Sequence, residues 1–372
     1  MSASVGDEPE QRDVPAEVGG LARTDARRAA GLFVVLGVLA ALCLVSISVG
    51  TEYIPIGRVW HGLLHADGST ESVIVRELRL PRTVLGLLVG LALGVAGALI
   101  QAMTRNPLAD PGILGVNAGA AFFVAIAVGV FGFTGIGSYI WFAFAVGVFG
   151  FTGIGSYIWF AFAGAVFATI VVYALGSLGR AGATPIRLTL SGIALGAVLG
   201  GVTSGMLLLD PDAFDRMRFW GAGSLAGRGL DIASEVAPFI ALGVFLAALI
   251  ARPLNAISLG DDLARSLGAN VVRTRIVGVV AVTLLAGAAT AAAGPIGFVG
   301  LMIPHMVRWI VGPDQRWILI YTVFAAPGLL LLSDVVGRIV IRPGELQVGI
   351  VTAFVGAPVL IVLVRRKKAS GL

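Results

Sequence analysis

The chain reads as an all-α bundle of ten transmembrane helices with both termini in the cytoplasm. Three observations lead there. Of its 372 residues 57% are hydrophobic and 13% charged, with a mean hydropathy of +0.96, far from the habit of a soluble domain. The apolar runs are helix-length and rich in Gly and Ala, not alternating ten-residue strands; backbone groups in lipid are then satisfied within helices and not around a barrel. The 52 glycines suit helices that pack closely in a bilayer.

Residues 1–28 hold six acids, four arginines and little that is apolar, the composition of a disordered cytoplasmic tail. The first apolar run, 29–49, follows Arg23, Arg27 and Arg28. It is too long for a signal-peptide core and lacks a small-residue cleavage site, so it reads as an uncleaved span. Nine further windows between charges complete the count: 83–103, 113–130, 159–178, 188–209, 233–251, 276–293, 297–311, 317–332 and 349–364, the last three short. Residues 29–368 thus form the membrane domain, and 369–372 a C-terminal tail.

With the N-terminus inside, seventeen of the 26 basic residues fall on the cytoplasmic side and nine outside, the expected sign. That bias also judges an internal repeat. Residues 127–144, AVGVFGFTGIGSYIWFAF, recur without change as 145–162. One extra crossing near residue 145 would reverse the sides of every later charge, so an even number of crossings is expected between Asp110 and Arg180. The added copy would form an outward loop, a helix extension or a re-entrant hairpin. Its GFTGIGS core is a poor helix interior, and Trp141 and Trp159 suit interface anchors. Either copy can supply the start of the fourth span.

Composition also excludes function classes. Cys43 is the sole cysteine, so the chain has no internal disulfide, no cysteine-based zinc site and no iron-sulfur cluster. The basic residues are scattered, with no tract beyond Arg365–Lys368, which argues topology and not nucleic acid. His61 and His65 stand at i, i+4 beside Asp67, a spacing able to hold a metal; without a third nitrogen or thiolate nearby they read as surface histidines, and no metal site is expected. Gln101, His305 and Arg308 lie near expected helix ends and the acids sit in loops. Proton coupling through a mid-membrane group is therefore disfavoured. No G-x-x-x-x-G-K-[ST] loop occurs, so any ATP-derived energy must come from another chain.

Long motifs then carry a resemblance: LRLPRTVLGLLVGLALGVAGALIQAMTRNPLADPGILGVNAGA (78–120), LLLDPDAF (207–214), FWGAGSLAGR (219–228), ISLGDDLARSLGAN (257–270), AAGPIGFVGLMIPHMVRWIVGPDQRW (292–317) and DVVGRIVIRPGELQVGIVTAFVGAP (334–358). In this order, from about residue 30 onward, they resemble the FecCD family, permease subunits of type II ABC importers for iron-siderophores, haem and vitamin B12. The duplicated block departs from the pattern, which has one copy.

The resemblance implies a ten-helix, multi-pass permease of the inner (cytoplasmic) membrane. It would pair with a second permease, as a homo- or heterodimer, with two ABC ATPases that carry ATP and Mg, and with an extracytoplasmic solute-binding protein. This chain would bind no cofactor and catalyse no reaction, and an iron-siderophore is the ligand expected from family abundance. A secondary carrier and a non-transporting scaffold are the rivals. By similarity Arg79, Arg82 and Arg338 pair with carboxylates of the binding protein, since Arg forks recognise carboxylates well; the bland alternative is snorkelling to lipid phosphates. Ser258, Leu259, Gly260, Asp261, Asp262, Leu263, Ala264 and Leu267 match the helix that enters a groove on the ATPase. Leu259, Leu263 and Leu267 recur at i, i+4 and i+8 as one apolar stripe, and Ser258 or Gly260 to Asp262 cap it. A stripe resting on the bilayer is the other reading. Asn106 and Leu108 match a cytoplasmic gate in the vitamin B12 relative, where an Asn-Pro turn is equally good loop chemistry. The relative's other gate pair is polar, whereas Pro185 and Ile186 stand there in this chain. Gly294-Pro295 reads as a tight turn.

Overall fold

A computed structural model describes residues 24–50, 52–65, 67–129, 156–178 and 184–369, and among these every regular element is helical. Helix α1 (Asp25–Ser48) is capped by Thr24, whose side chain accepts from the Arg27 backbone N–H. A short excursion follows, α2 (Ile56–Leu64) and α3 (Thr70–Val73). A π-helical turn (Ile74–Arg79) then feeds α4 (Leu80–Thr104), where Pro81 occupies the first turn and leaves no orphan N–H. A 3-10 turn (Pro111–Leu114) leads into α5 (Val116–Gly129). Next come α6 (Ser156–Ser177), α7 (Pro185–Leu209), the short α8 (Pro211–Gly221) and α9 (Leu230–Ser258). After the six-residue α10 (Asp261–Ser266) the chain runs through α11 (Val271–Ala293), α12 (Val299–Val311), α13 (Gln315–Val340) and α14 (Val348–Ala369).

Seven helical segments are long and apolar enough to cross a membrane, and α5, α12 and Val348–Val362 are shorter apolar helices. Every expected window finds a helix, but several ends move. Residues 25–28 belong to α1 and not to a tail. The span expected at 317–332 continues to Val340, so Asp334 and Arg338 stand inside a helix instead of a loop. Glu235 likewise lies within α9, which corrects the expectation that all acids sit in loops.

Helices α4 and α11 form the centre; 78% of each apolar window is buried, against 11% for α1 and α7. The centre is built from close backbone approaches. A Cβ at Gly97 would lie 1.8 Å from the Gly300 carbonyl oxygen, and one at Gly119 would lie 2.1 Å from that of Gly164. No other side chain lets α4 meet α12, or α5 meet α6, at that distance.

These contacts fix direction. Gly86, Gly90 and Gly94 of α4 meet Leu331, Pro327 and Ala326 of α13 in reverse order, so the two run antiparallel. Gly31 and Leu39 of α1 meet Tyr321 and Gly328 of α13 in the same order, so those run parallel. Gly115, just before α5, and Phe123 of α5 touch Val172 and Gly164 of α6, again antiparallel. The second copy of the repeat supplies the start of α6 and the first copy the end of α5. Residues 130–155, which hold the rest of the repeat and Trp141, lie outside the described residues, as do 1–23 and 370–372.

Candidate functional sites at the two ends of the bundle

At one end, arginines converge on the last turn of α1 and the loop after it. The Arg79 guanidinium is buried and donates through Nη1 to the Ile47 and Ser48 carbonyls (2.9 and 2.8 Å) and through Nη2 to that of Glu52. Arg338 is 2% exposed; its Nη1 donates to the carbonyls of Ser46 (2.8 Å) and Val49 (3.2 Å), and its Nη2 to the Ser46 hydroxyl (3.2 Å). Arg342 adds a bond from Nη2 to the Gly50 carbonyl (2.9 Å). A helix C-terminus leaves its last carbonyls unpaired and carries partial negative charge, and cations answer both.

Asp334 holds this array together. Its carboxylate has no solvent exposure and lies between two guanidinium groups. Arg82 reaches it through Nε (3.1 Å to Oδ1, 3.0 Å to Oδ2) and Nη2 (2.8 Å to Oδ1). Arg338, one turn along α13, donates Nε at 3.0 Å and Nη2 to the same carboxylate. Arg82 also bonds Glu345 at 2.7 Å, tying in the loop before α14. The three arginines picked from the sequence are thus gathered at one site, but Arg79 and Arg338 are spent on bonds within the chain, and the Arg82 side chain is only 11% exposed. Snorkelling to lipid does not describe them. Asp334 escaped the sequence reading, although its i, i+4 spacing to Arg338 is that of a helical ion pair.

At the other end, α9 runs through Ser258, whose hydroxyl donates to the Asn255 carbonyl (2.6 Å) and caps nothing. Gly260 opens α10 with φ of +116°, a backbone region that needs glycine, and no side chain caps the helix. Leu259, Leu263 and Leu267 are 62%, 49% and 63% exposed, while Ala264 is buried. They do not form the single helix stripe expected, because Leu259 closes α9, Gly260 breaks the helix, and only Leu263 lies within α10, with Leu267 just past its end. Asp262 pairs with Arg265 at 3.0 Å on the surface. Asp261 instead turns inward, toward Arg275 of α11 (2.9 Å) and Arg105 at the end of α4 (3.4 Å).

Arg105 ends α4 in the left-handed region, φ +53°. The turn beyond it is locked by Asn106, whose Oδ1 accepts from the Leu108 N–H at 3.0 Å, so the Asn-Pro turn reading holds. Leu108 is 42% exposed. Asp110 follows, its side chain accepting from the Gly112 N–H (2.8 Å), with burial pushing its carboxyl above the usual range. Pro185 opens α7 and Ile186 is exposed.

The remaining candidates are quieter. Gln101 lies in the last turn of α4, as expected near a helix end, and is buried there, its Nε2 donating to the Leu301 carbonyl at 3.0 Å across the α4–α12 contact. His61 and His65 stack with ring centres 4.8 Å apart on the surface, and His61 Nδ1 lies 3.7 Å from Asp67. Among the described residues no group of three or more metal-binding side chains occurs.

The two ends are separated by the whole of α4, which starts beside Arg79 and finishes at Arg105; its 25 residues span about 37 Å at 1.5 Å per residue, a membrane's thickness. A helical bundle with this apolar surface, a charge-locked rim at one end and an exposed leucine hook at the other, is a multi-pass membrane permease. The chain belongs to the FecCD transport family, whose profile matches residues 38–366. It is 47% identical over 95% of its length to the ferric enterobactin transport system permease protein FepD of Escherichia coli K12, covering 99% of that protein. It is 37% identical over 91% of its length to the probable siderophore transport system permease YfiZ of Bacillus subtilis 168, of which 98% is covered. A solved metal-chelate type ABC transporter in an inward-facing conformation superposes with a TM-score of 0.73 at 26% identity, over 91% of this chain and 99% of that one.

Proposed function

We propose that the chain is the permease subunit of an ATP-driven importer for an iron-siderophore complex. It would cross the inner membrane ten times, with its termini and the leucine hook in the cytoplasm. A second permease would complete the pathway, two separate ATPases would supply ATP and Mg, and an external binding protein would deliver the ligand. The observation that carries this reading is the exposed cluster of Leu259, Leu263 and Leu267 on and beside the short helix α10, in a chain that has no phosphate loop of its own. The 47% identity to a ferric enterobactin permease supports the ligand class. The antiparallel pairing of α5 and α6 supports an even number of crossings across the repeat.

Gly200, Gly201 and Gly205 on α7 face open space, which supports a closely packed neighbour helix there, as a second permease would supply. Asn106 and Leu108 are proposed to line the cytoplasmic gate, supported by the exposure of Leu108 beside α10. For docking, Arg82 is proposed to meet a carboxylate of the binding protein, while Arg79 and Arg338 hold the rim in shape.

The test is uptake of radio-iron as ferric enterobactin into proteoliposomes holding both permeases, the ATPases and the binding protein. Uptake should require ATP and the binding protein. Uptake that persists without ATPases and collapses with the proton gradient would establish a secondary carrier instead. Glu235, half-buried beside Trp159, Phe162 and Phe239 with an inaccessible Oε2 that lacks a hydrogen-bond partner among the described residues, is where such a carrier's proton would sit.

A further inference from the structure

The hook and the gate turn are covalently distant, yet one carboxylate spans them. Asp261, the first residue of α10, is clamped from two sides: Arg275 Nη2 lies 3.0 Å from Oδ1 and 2.9 Å from Oδ2, and Arg105 Nη2 lies 3.4 Å from Oδ1. The side chains are 25%, 16% and 41% exposed for Asp261, Arg275 and Arg105, so the Arg275 contact is the drier anchor and the Arg105 contact the looser link. Arg105 is adjacent to Asn106, and its left-handed backbone is one an L side chain adopts only when the surroundings hold it there. Gly260 is also within reach of that guanidinium; a Cβ there would stand 3.7 Å from Arg105 Nη1. Asp261 thus ties α10 to α11 and to the end of α4 at once, with Ala264 of the same helix buried.

We propose that Arg105 and Asp261 form a strut that passes displacement of α10 to the Asn106–Leu108 turn, which makes Arg105 a positioning residue of the gate. The inference rests on the coupling and gate roles proposed above. A push on the leucine cluster moves α10 as one short rigid piece. Because Asp261 is bound to α11 as well, the Arg105 end is where the movement is delivered to α4 and its turn. The role is one of timing and not of chemistry.

The experiment uses the assembled complex with Cys43→Ala and a reporter, Leu108→Cys, labelled by a maleimide without nucleotide and after ATP trapping. In the parent, trapping should change the labelling rate. Arg105→Ala, which leaves α10 itself unaltered, should keep the ATPases attached and hydrolysing; Asp261→Ala lies in the ATPase-facing element, so its response is read per recovered ATPase. Both variants should shrink the nucleotide-dependent change by about two- to fivefold, the worth of a partly exposed pair. The double variant should do no worse than the poorer single one, and Arg105→Lys should recover most of the response. Variants that respond like a responsive parent, effects that multiply in the double variant, or loss of ATPase attachment in Arg105→Ala would each overturn the strut alone. A parent whose labelling ignores nucleotide would remove the gate reading and the strut with it.

Discussion

Replacing Asp334 by Ala should be among the most damaging single changes in the chain, and its size follows from the geometry. The carboxylate is fully buried and accepts from Arg82 and Arg338 together. Its removal leaves two guanidinium groups facing each other in a space from which water is excluded. Arg82 keeps Glu345, and Arg338 keeps the α1 carbonyls, so both stay in place while the buried Arg338 charge is left without a carboxylate. Breaking a buried pair from one side costs about 3–5 kcal/mol, whereas an exposed pair is worth about 0.2–1 kcal/mol. The assay is thermal unfolding of the purified permease in one detergent, at low and high salt. The loss should be at the upper figure and hardly change with salt, because buried pairs are poorly screened. The companion variant Asp334→Leu/Arg338→Met should recover much of the loss by removing a buried charge along with its partner. An Asp334→Ala protein within about 1 kcal/mol of the parent, or one whose loss fades in salt, would show that the rim is solvated and the clasp does not exist.

Other outcomes follow from the same structure. Gly97→Val should abolish folded protein or cost more than the ~1–3 kcal/mol typical of overpacking, since its Cβ would overlap the Gly300 carbonyl; Gly201→Ala, which faces open space, should leave the monomer's melting unchanged. Leu263→Asp should detach or uncouple the ATPases, as measured by complex recovery and transport, and normal values of both would refute the hook. Arg82→Gln should weaken binding-protein capture most at low salt while ATPase attachment is kept; unchanged capture would withdraw Arg82 from docking. Excising one copy of the repeat should leave a C-terminal reporter on its original side.

Much of this was legible because a bilayer imposes a coarse grammar. Apolar length locates the helices, and the windows around α4, α7 and α11 needed little adjustment. The ends resisted for a local reason. A charge normally closes a span, so Asp334 and Arg338 read as loop, but paired with each other and with Arg82 they let α13 run on through Val340. Glu235 misled in the opposite sense, an acid tolerated inside a helix beside aromatic rings. The arginine trio was found by motif, yet Ser48 is 31 residues from Arg79, Asp334 is 252 from Arg82 and Ser46 is 292 from Arg338, separations no periodicity reports. The leucines were visible through their i, i+4, i+8 spacing, the geometry of a helix face, but Gly260 breaks the helix between Leu259 and Leu263, so the spacing found the exposed cluster and not its shape. The ion pair of Asp261 with Arg105 joins the start of α10 to the end of α4 and leaves no such trace.

The central claim is that the arginine rim and the leucine hook face opposite sides of the membrane. Its most direct test is sided labelling of Gly344→Cys, in the exposed loop of the rim, and Leu263→Cys, each with Cys43→Ala, using an impermeant maleimide on spheroplasts and on inverted vesicles. Gly344→Cys should react only in spheroplasts and Leu263→Cys only in inverted vesicles. Reaction of both from one side would contradict the account.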